Sequence, residues 1–145
     1  MPIKQDAVDE IRQQWAQERP ELNTTAMATI GRLNRCAALL SPMLEKVFAR
    51  FELSSWEFDV LATLLRSGSP YCLTPTALFS ALMISSGTMT HRLQKLEERG
   101  FVKRKTNVHD SRSKLVQLTP MGIERVSQAV TCLLYTSDAA DEEDS

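Results

Sequence analysis

The sequence predicts a mainly α-helical protein with a small β wing, and three observations carry that expectation. Apolar residues recur at steps of three and four through most of the chain, the period of helices that bury one face. Two short runs, FVKRKT at 101–106 and KLVQLT at 114–119, are rich in strand-forming residues and separated only by a polar loop. Thr-Pro pairs at 74–75 and 119–120, and Arg99-Gly100, supply helix starts and a helix stop at consistent places. At 145 residues the chain has room for one domain with a real core.

The elements follow in order. Val8, Ile11 and Trp15 predict a short helix over residues 5–18, stopped by Arg19-Pro20. Thr24 or Thr25 caps a long helix in which Ile30, Leu33, Ala37, Leu40, Leu44, Val47 and Phe51 alternate steps of three and four. Such a stripe packs along another helix, either in the core of this chain or at a seam between subunits. Pro42 lies inside it and is expected to kink or interrupt the helix near Leu39–Ser41. Ser54 or Ser55 caps the next helix, with Glu57 and Asp59 at its positive end. Its apolar residues, from Trp56 to Leu65, cover more than half its circumference, so it should be central to the core.

Ser67–Pro70 ends that helix, and Tyr71-Cys72-Leu73 is a candidate short strand. Thr74-Pro75 begins a short helix, with Thr as cap and Pro at the first helical position. A tight turn at Met83–Ser85 leads into a helix whose back half is ordinary: Met89, Leu93 and Leu96 share one side, and Gly100 closes it. The two strands and their loop at 107–112 come next, and Ile123, Val126 and Val130 open a last helix. The expected division is 1–53 for N-terminal dimerisation helices and 54–118 for a winged helix-turn-helix. Residues 119–131 then begin a C-terminal dimerisation helix, and 132–145 form a tail.

The tail needs separate treatment. CLLYTSDAADE, at Cys132–Glu142, closely resembles the translation in one frame of the transposase adapter used in preparing sequencing libraries. The expectation is therefore an artefactual, disordered tail, with the C-terminal helices truncated after Val130 and the natural continuation unseen. A natural acidic tail is the other reading.

Hydrophobic content of 43% with 24% charged residues is that of a soluble globular protein. No apolar run approaches the ~20 residues of a membrane span, and the N-terminus lacks the pattern of a signal peptide. Three cysteines with no CxxC pair argue against a disulfide framework or a zinc site. A reduced, cytoplasmic protein without cofactor is expected. The net charge of −1 averages opposite segments: His91–Lys114 holds eight Lys/Arg against three acids, while the last eight residues hold five acids and no base.

Helix, short strand, short helix, turn, helix, strand, charged loop, strand is the order of a helix-turn-helix followed by a wing. The second helix of such a pair fits the major groove, with its N-terminal residues at base edges and phosphates. Here that front end carries Ser85, Ser86, Gly87, Thr88, Thr90, His91, Arg92 and Lys95. Small residues let the backbone approach, and the hydroxyls, imidazole and cations supply hydrogen bonds and neutralising charge. Lys103–Lys105 sits at the wing base, where DNA phosphate is its natural partner. Double-stranded DNA is the expected partner.

At these residues the chain resembles the MarR family of bacterial winged-helix transcriptional regulators, from about Trp15 to Val130. The pieces that carry the resemblance are FDVLATL at 58–64, LTPTALFSALMISSGTMTHRLQKLEERGFVKR at 73–104 and HDSRSKLVQLTPMG at 109–122. The last includes the family's D-x-R signature as Asp110-Ser111-Arg112. The resemblance implies that Arg112 reaches the minor groove or its phosphates, with Asp110 in support. It implies recognition by Ser85, Ser86, Thr88, Thr90, His91, Arg92 and Lys95, with Lys105 adding charge. It further implies a homodimer, impaired if the C-terminal helices are missing. A repressor released by a small phenolic or lipophilic effector fits, with Trp15, Leu33, Ala37, Trp56 and Val60 as candidate lining, although plain core is the favoured reading of each.

Competing readings are weighed beside this one. No Gly-rich phosphate loop, nucleophile elbow or acid–base pair at useful spacing points to an enzyme. A winged-helix protein-interaction module without specific DNA binding is the alternative. His109 reads as a loop residue, and Cys36 and Cys72 as buried structural thiols rather than oxidant sensors.

Overall fold

The computed structural model describes residues 3–82 and 89–143, with side chains described to Tyr135. Asp6 opens the first helix, α1 (Ala7–Glu18), with a reciprocal cap: its carboxylate accepts from the Asp9 N–H while Asp9 accepts from the Asp6 N–H. The long helix α2 (Thr25–Ala49) follows. At its start Asn23 accepts the Thr25 N–H, and the Thr24 hydroxyl accepts from Arg12 Nε at 3.2 Å. Residues up to Leu44 and from Glu45 onward form two compact units.

In the first unit Val8 and Ala28 are buried. Arg32 ties α2 to the first turn of α1, donating to Asp6 at 3.0 Å and Asp9 at 2.8 Å. That guanidinium holds the Asp6 carboxyl well below the usual carboxylate range. Most of the apolar stripe of α2, by contrast, faces outward: Ile30 is 59%, Leu33 65% and Leu40 53% exposed. Core burial within the chain therefore does not account for its upper part. Pro42 does not interrupt the helix, which runs through it. The proline frees the Ala38 carbonyl, and both residues are exposed, so that oxygen is open to solvent.

The second unit takes the last turn of α2 as well, since Phe48 and Leu53 belong to its core. Its remaining elements are α3 (Ser55–Arg66), β1 (Cys72–Leu73), α4 (Pro75–Ala81), α5 (Met89–Glu98), β2 (Val102–Thr106), β3 (Lys114–Leu118) and α6 (Pro120–Glu143). Ser54 and Glu57 form the capping box of α3, and Thr74 caps α4 with Pro75 next to it. As expected, α3 is central: Val60, Leu61 and Leu64 are buried with Leu78, Leu93, Leu96, Val116 and Val126. The Phe48 and Phe58 rings stack with centroids 4.2 Å apart.

The strands form one antiparallel sheet in the order β1-β3-β2, so the candidate strand at Cys72 joins the wing. Register pairs Val102 with Leu118, Arg104 with Val116 and Thr106 with Lys114. Val102, Val116 and Leu118 turn into the core, while Lys103 and Lys105 project outward. Gly100, at φ 80°, closes α5 in the left-handed conformation predicted for it. Gly122 is a glycine for a different reason: a Cβ there would come within 2.1 Å of the Phe101 carbonyl oxygen.

The chain beyond Val130 corrects the expectation of a disordered tail. Helix α6 continues without a break to Glu143, and Val130 and Leu133 pack against the core. No Gly or Pro interrupts residues 131–143, and their Leu, Ala and Glu favour helix.

Candidate nucleic-acid interface

Helix α5 buries Leu93 and Leu96 and half-buries Met89, which leaves Thr90, His91, Gln94, Lys95 and Glu98 on the outside. The amphipathic period thus sorts polar side chains onto one continuous outer face. Gln94 Nε2 donates to Glu98 Oε1 at 3.3 Å. Sequence reasoning missed Gln94, although it stands one turn after Thr90 and His91. Ser85, Ser86 and Thr88 lie outside the described residues.

Arg92 is half-buried where α5 meets α3. Its guanidinium lies over the Trp56 ring, 5.0 Å from the centroid, joining α5 to α3 instead of standing out beside His91 and Lys95. From β2, Arg104 approaches Glu97 of α5 at 3.5 Å. With Lys114 these two line an open polar recess of about 450 Å³, which Thr90 and Gln94 also border. Lys103, Lys105 and Lys114 are all exposed, the first two on the face of β2 opposite Arg104.

The loop joining β2 to β3 is shaped by its own side chains. Asn107 accepts the His109 N–H and donates to Ser113, which makes His109 a loop residue as predicted. Asp110 accepts the Arg112 N–H at 3.0 Å, and its carboxylate lies 3.5 Å from Arg112 Nε. Arg112 nonetheless has its side chain 93% exposed, at the tip of the wing. A short local brace therefore presents a cation that nothing in the fold requires.

The candidate effector residues divide between the two units. Trp15, Leu33 and Ala37 belong to the first, where Leu33 and Ala37 are exposed and Trp15 borders a shallow recess with Gln14 and Glu18. Trp56 is half-buried beneath Arg92, and Val60 is buried in the core at 2% exposure. Cys36 is exposed and Cys72 half-buried, correcting the expectation of two buried thiols. Burial pushes the Cys72 thiol up against the opposing influence of Lys105. Among the described residues no three His, Cys, Asp or Glu side chains come together to hold a metal ion.

A core helix, a sorted polar helix and a basic antiparallel wing in this order define a winged helix-turn-helix protein. The chain belongs to the MarR family, whose pattern matches residues 53–114. It is 43% identical over 123 residues to the HTH-type transcriptional regulator PecS of Dickeya dadantii, covering 85% of this chain and 74% of that one. Two DNA-bound structures are also similar. A cysteine-to-serine variant of MarR from E. coli with operator DNA matches at 25% identity and a TM-score of 0.63, over 76% of this chain and 77% of that one. Reduced AbfR bound to DNA matches at 27% identity and a TM-score of 0.61, over 82% and 89%.

Proposed function

We propose that this chain is a sequence-specific, double-stranded DNA-binding transcriptional regulator acting in the cytoplasm as a homodimer. It reads the major groove with the outer face of α5 and anchors the wing through Arg112. The observation that carries the reading is the pairing of two exposed features on one unit. Thr90, His91, Gln94 and Lys95 face outward on α5, and the adjacent wing ends in a braced but 93% exposed arginine. Relatives of this chain bound to DNA support the same reading.

The exposed upper stripe of α2 supports the homodimer, because leucines and isoleucines at heptad-like spacing need an apolar cover and a second copy supplies one. Repression relieved by a small lipophilic or phenolic effector completes the proposal. No enzymatic step forms part of this function.

Titration of the chain with duplex DNA flanking its own gene, at several salt concentrations, tests the proposal. Tight binding whose logarithm falls steeply with the logarithm of salt is expected, with Arg112→Ala weakening it by about tenfold or more. Binding indifferent to salt and to Arg112 would favour the protein-interaction alternative.

A further inference from the structure

Away from the outer face of α5, two arginines hold the end of that helix. Arg99 is the first residue past α5, and its guanidinium donates to Glu57 through Nη1 and to the Glu52 carbonyl through Nη2. It also stands 4.8 Å from the Phe101 ring centroid. Arg125, on α6, stands 5.2 Å from the same ring. Its Nη1 donates to the Phe51 carbonyl at 2.8 Å and to the Glu52 carboxylate at 3.1 Å.

The groups these arginines grip are themselves fixed. Glu57 is only 7% exposed, and its other oxygen accepts both the N–H and the hydroxyl of Ser54, completing the cap of α3. Glu52 holds φ at 57°, a left-handed conformation that glutamate rarely adopts. The arginines take the carbonyls of Phe51 and Glu52, at that unusual turn. Phe101 is buried and donates its N–H to the Leu96 carbonyl, ending α5. Four segments therefore meet at one ring: the end of α2, the cap of α3, the exit of α5 and the start of α6.

We propose that Arg99 and Arg125 are positioning residues that clamp Phe101 and fix the pose of α5, so that they set the sequence preference of DNA binding rather than its strength. This rests on the DNA-reading function proposed above. Base readout depends on hydrogen-bond geometry, whereas attraction to phosphate tolerates a small rotation of the helix. Arg99 commits both Nη groups within the protein, and Arg125 commits Nη1. A lysine at either place keeps the charge but lacks the planar guanidinium that lies on the Phe101 ring while it donates.

The test compares the affinity of the full chain for the duplex flanking its own gene with that for a random-sequence duplex of equal length. Wild type, Arg99→Lys, Arg125→Lys and Glu57→Gln are titrated at several salt concentrations, below the melting temperature of each. Each variant is expected to lose about tenfold in the ratio of the two affinities, the cost of about one mismatched base pair. Random-duplex affinity and the salt slope should stay near wild type. If the arginines instead touch phosphate, the lysine variants keep the ratio and Glu57→Gln tightens both duplexes, which overturns the proposal. Lower melting temperatures with an intact ratio overturn it as well, leaving a purely structural role. A wild-type chain without preference overturns the DNA-reading function too, whereas preference retained in all variants overturns this inference alone.

Discussion

In the unit from Glu45 onward, Leu61, Leu64 and Leu96 are fully enclosed, while in the N-terminal unit Ile30, Leu33 and Leu40 stand open on a helix of comparable apolar spacing. The difference shows what hydrophobic periodicity does and does not say. Steps of three and four mark a face that must be covered, and they are silent about whose side chains cover it. Around α3 the cover comes from the same chain, through α4, α5, α6 and the sheet. On the upper part of α2, supplying it is a role we assign to a second copy.

The largest effects belong to the closed unit. Leu61→Ala removes a fully buried side chain and should cost about 2–5 kcal/mol in denaturant unfolding. Gly122→Ala drives a methyl group into the Phe101 carbonyl and should cost about 1–3 kcal/mol or more, with the wing loosened as hydrogen exchange would report. Arg112→Ala comes next, with DNA affinity down by about tenfold and a salt slope smaller by about one, while the melting temperature stays put. Leu33→Ala, the counterpart of Leu61→Ala on the open helix, should change the stability of a dilute, dissociated chain by no more than about 0.5 kcal/mol. Wild type should sediment as a dimer and melt in a concentration-dependent way, and Leu33→Glu should abolish both. Equal costs for Leu33→Ala and Leu61→Ala under dilute conditions would erase the distinction.

The smallest effect concerns pH in the open unit. Asp6 has its carboxyl depressed, first by the hydrogen bond from Arg32 and then by the Asp9 N–H. Its contribution is therefore fully present above its ordinary value of 3.8 and lost as pH falls below it. Protection of the α1 amides, measured as exchange relative to the intrinsic rate at each pH, should fall on acidification below that value in wild type. In Arg32→Ala it should already be low at neutral pH and change little.

Much of this fold was legible because local chemistry and tertiary packing agree. The Thr74-Pro75 start, the Gly100 stop, the all-round apolar α3 and the paired runs at 102–106 and 114–118 stand where their residue types place them. The unbroken course of α2 through Pro42 was not legible from the proline alone, because it depends on Ala38 and Pro42 both being exposed. The contact of Arg92 with Trp56 was not legible because helix position predicts a face, and a long side chain can turn from that face onto an aromatic neighbour. The grip of Arg99 on Glu57 joins residues far apart in the chain and leaves no periodic trace. Tail residues to Glu143 extend α6 because composition carried less weight than continuity with a helix already started.

The central claim is that the outer face of α5 and the wing read sequence, in two copies. Hydroxyl-radical footprinting of the chain on the DNA flanking its own gene tests it most directly. The account predicts two protected half-sites, related by a two-fold axis and separated by about one helical turn, roughly 10 base pairs or a multiple of it. Arg112→Ala should erase the flanking minor-groove protection. Uniform protection independent of sequence, or a single half-site at saturating protein, would contradict it.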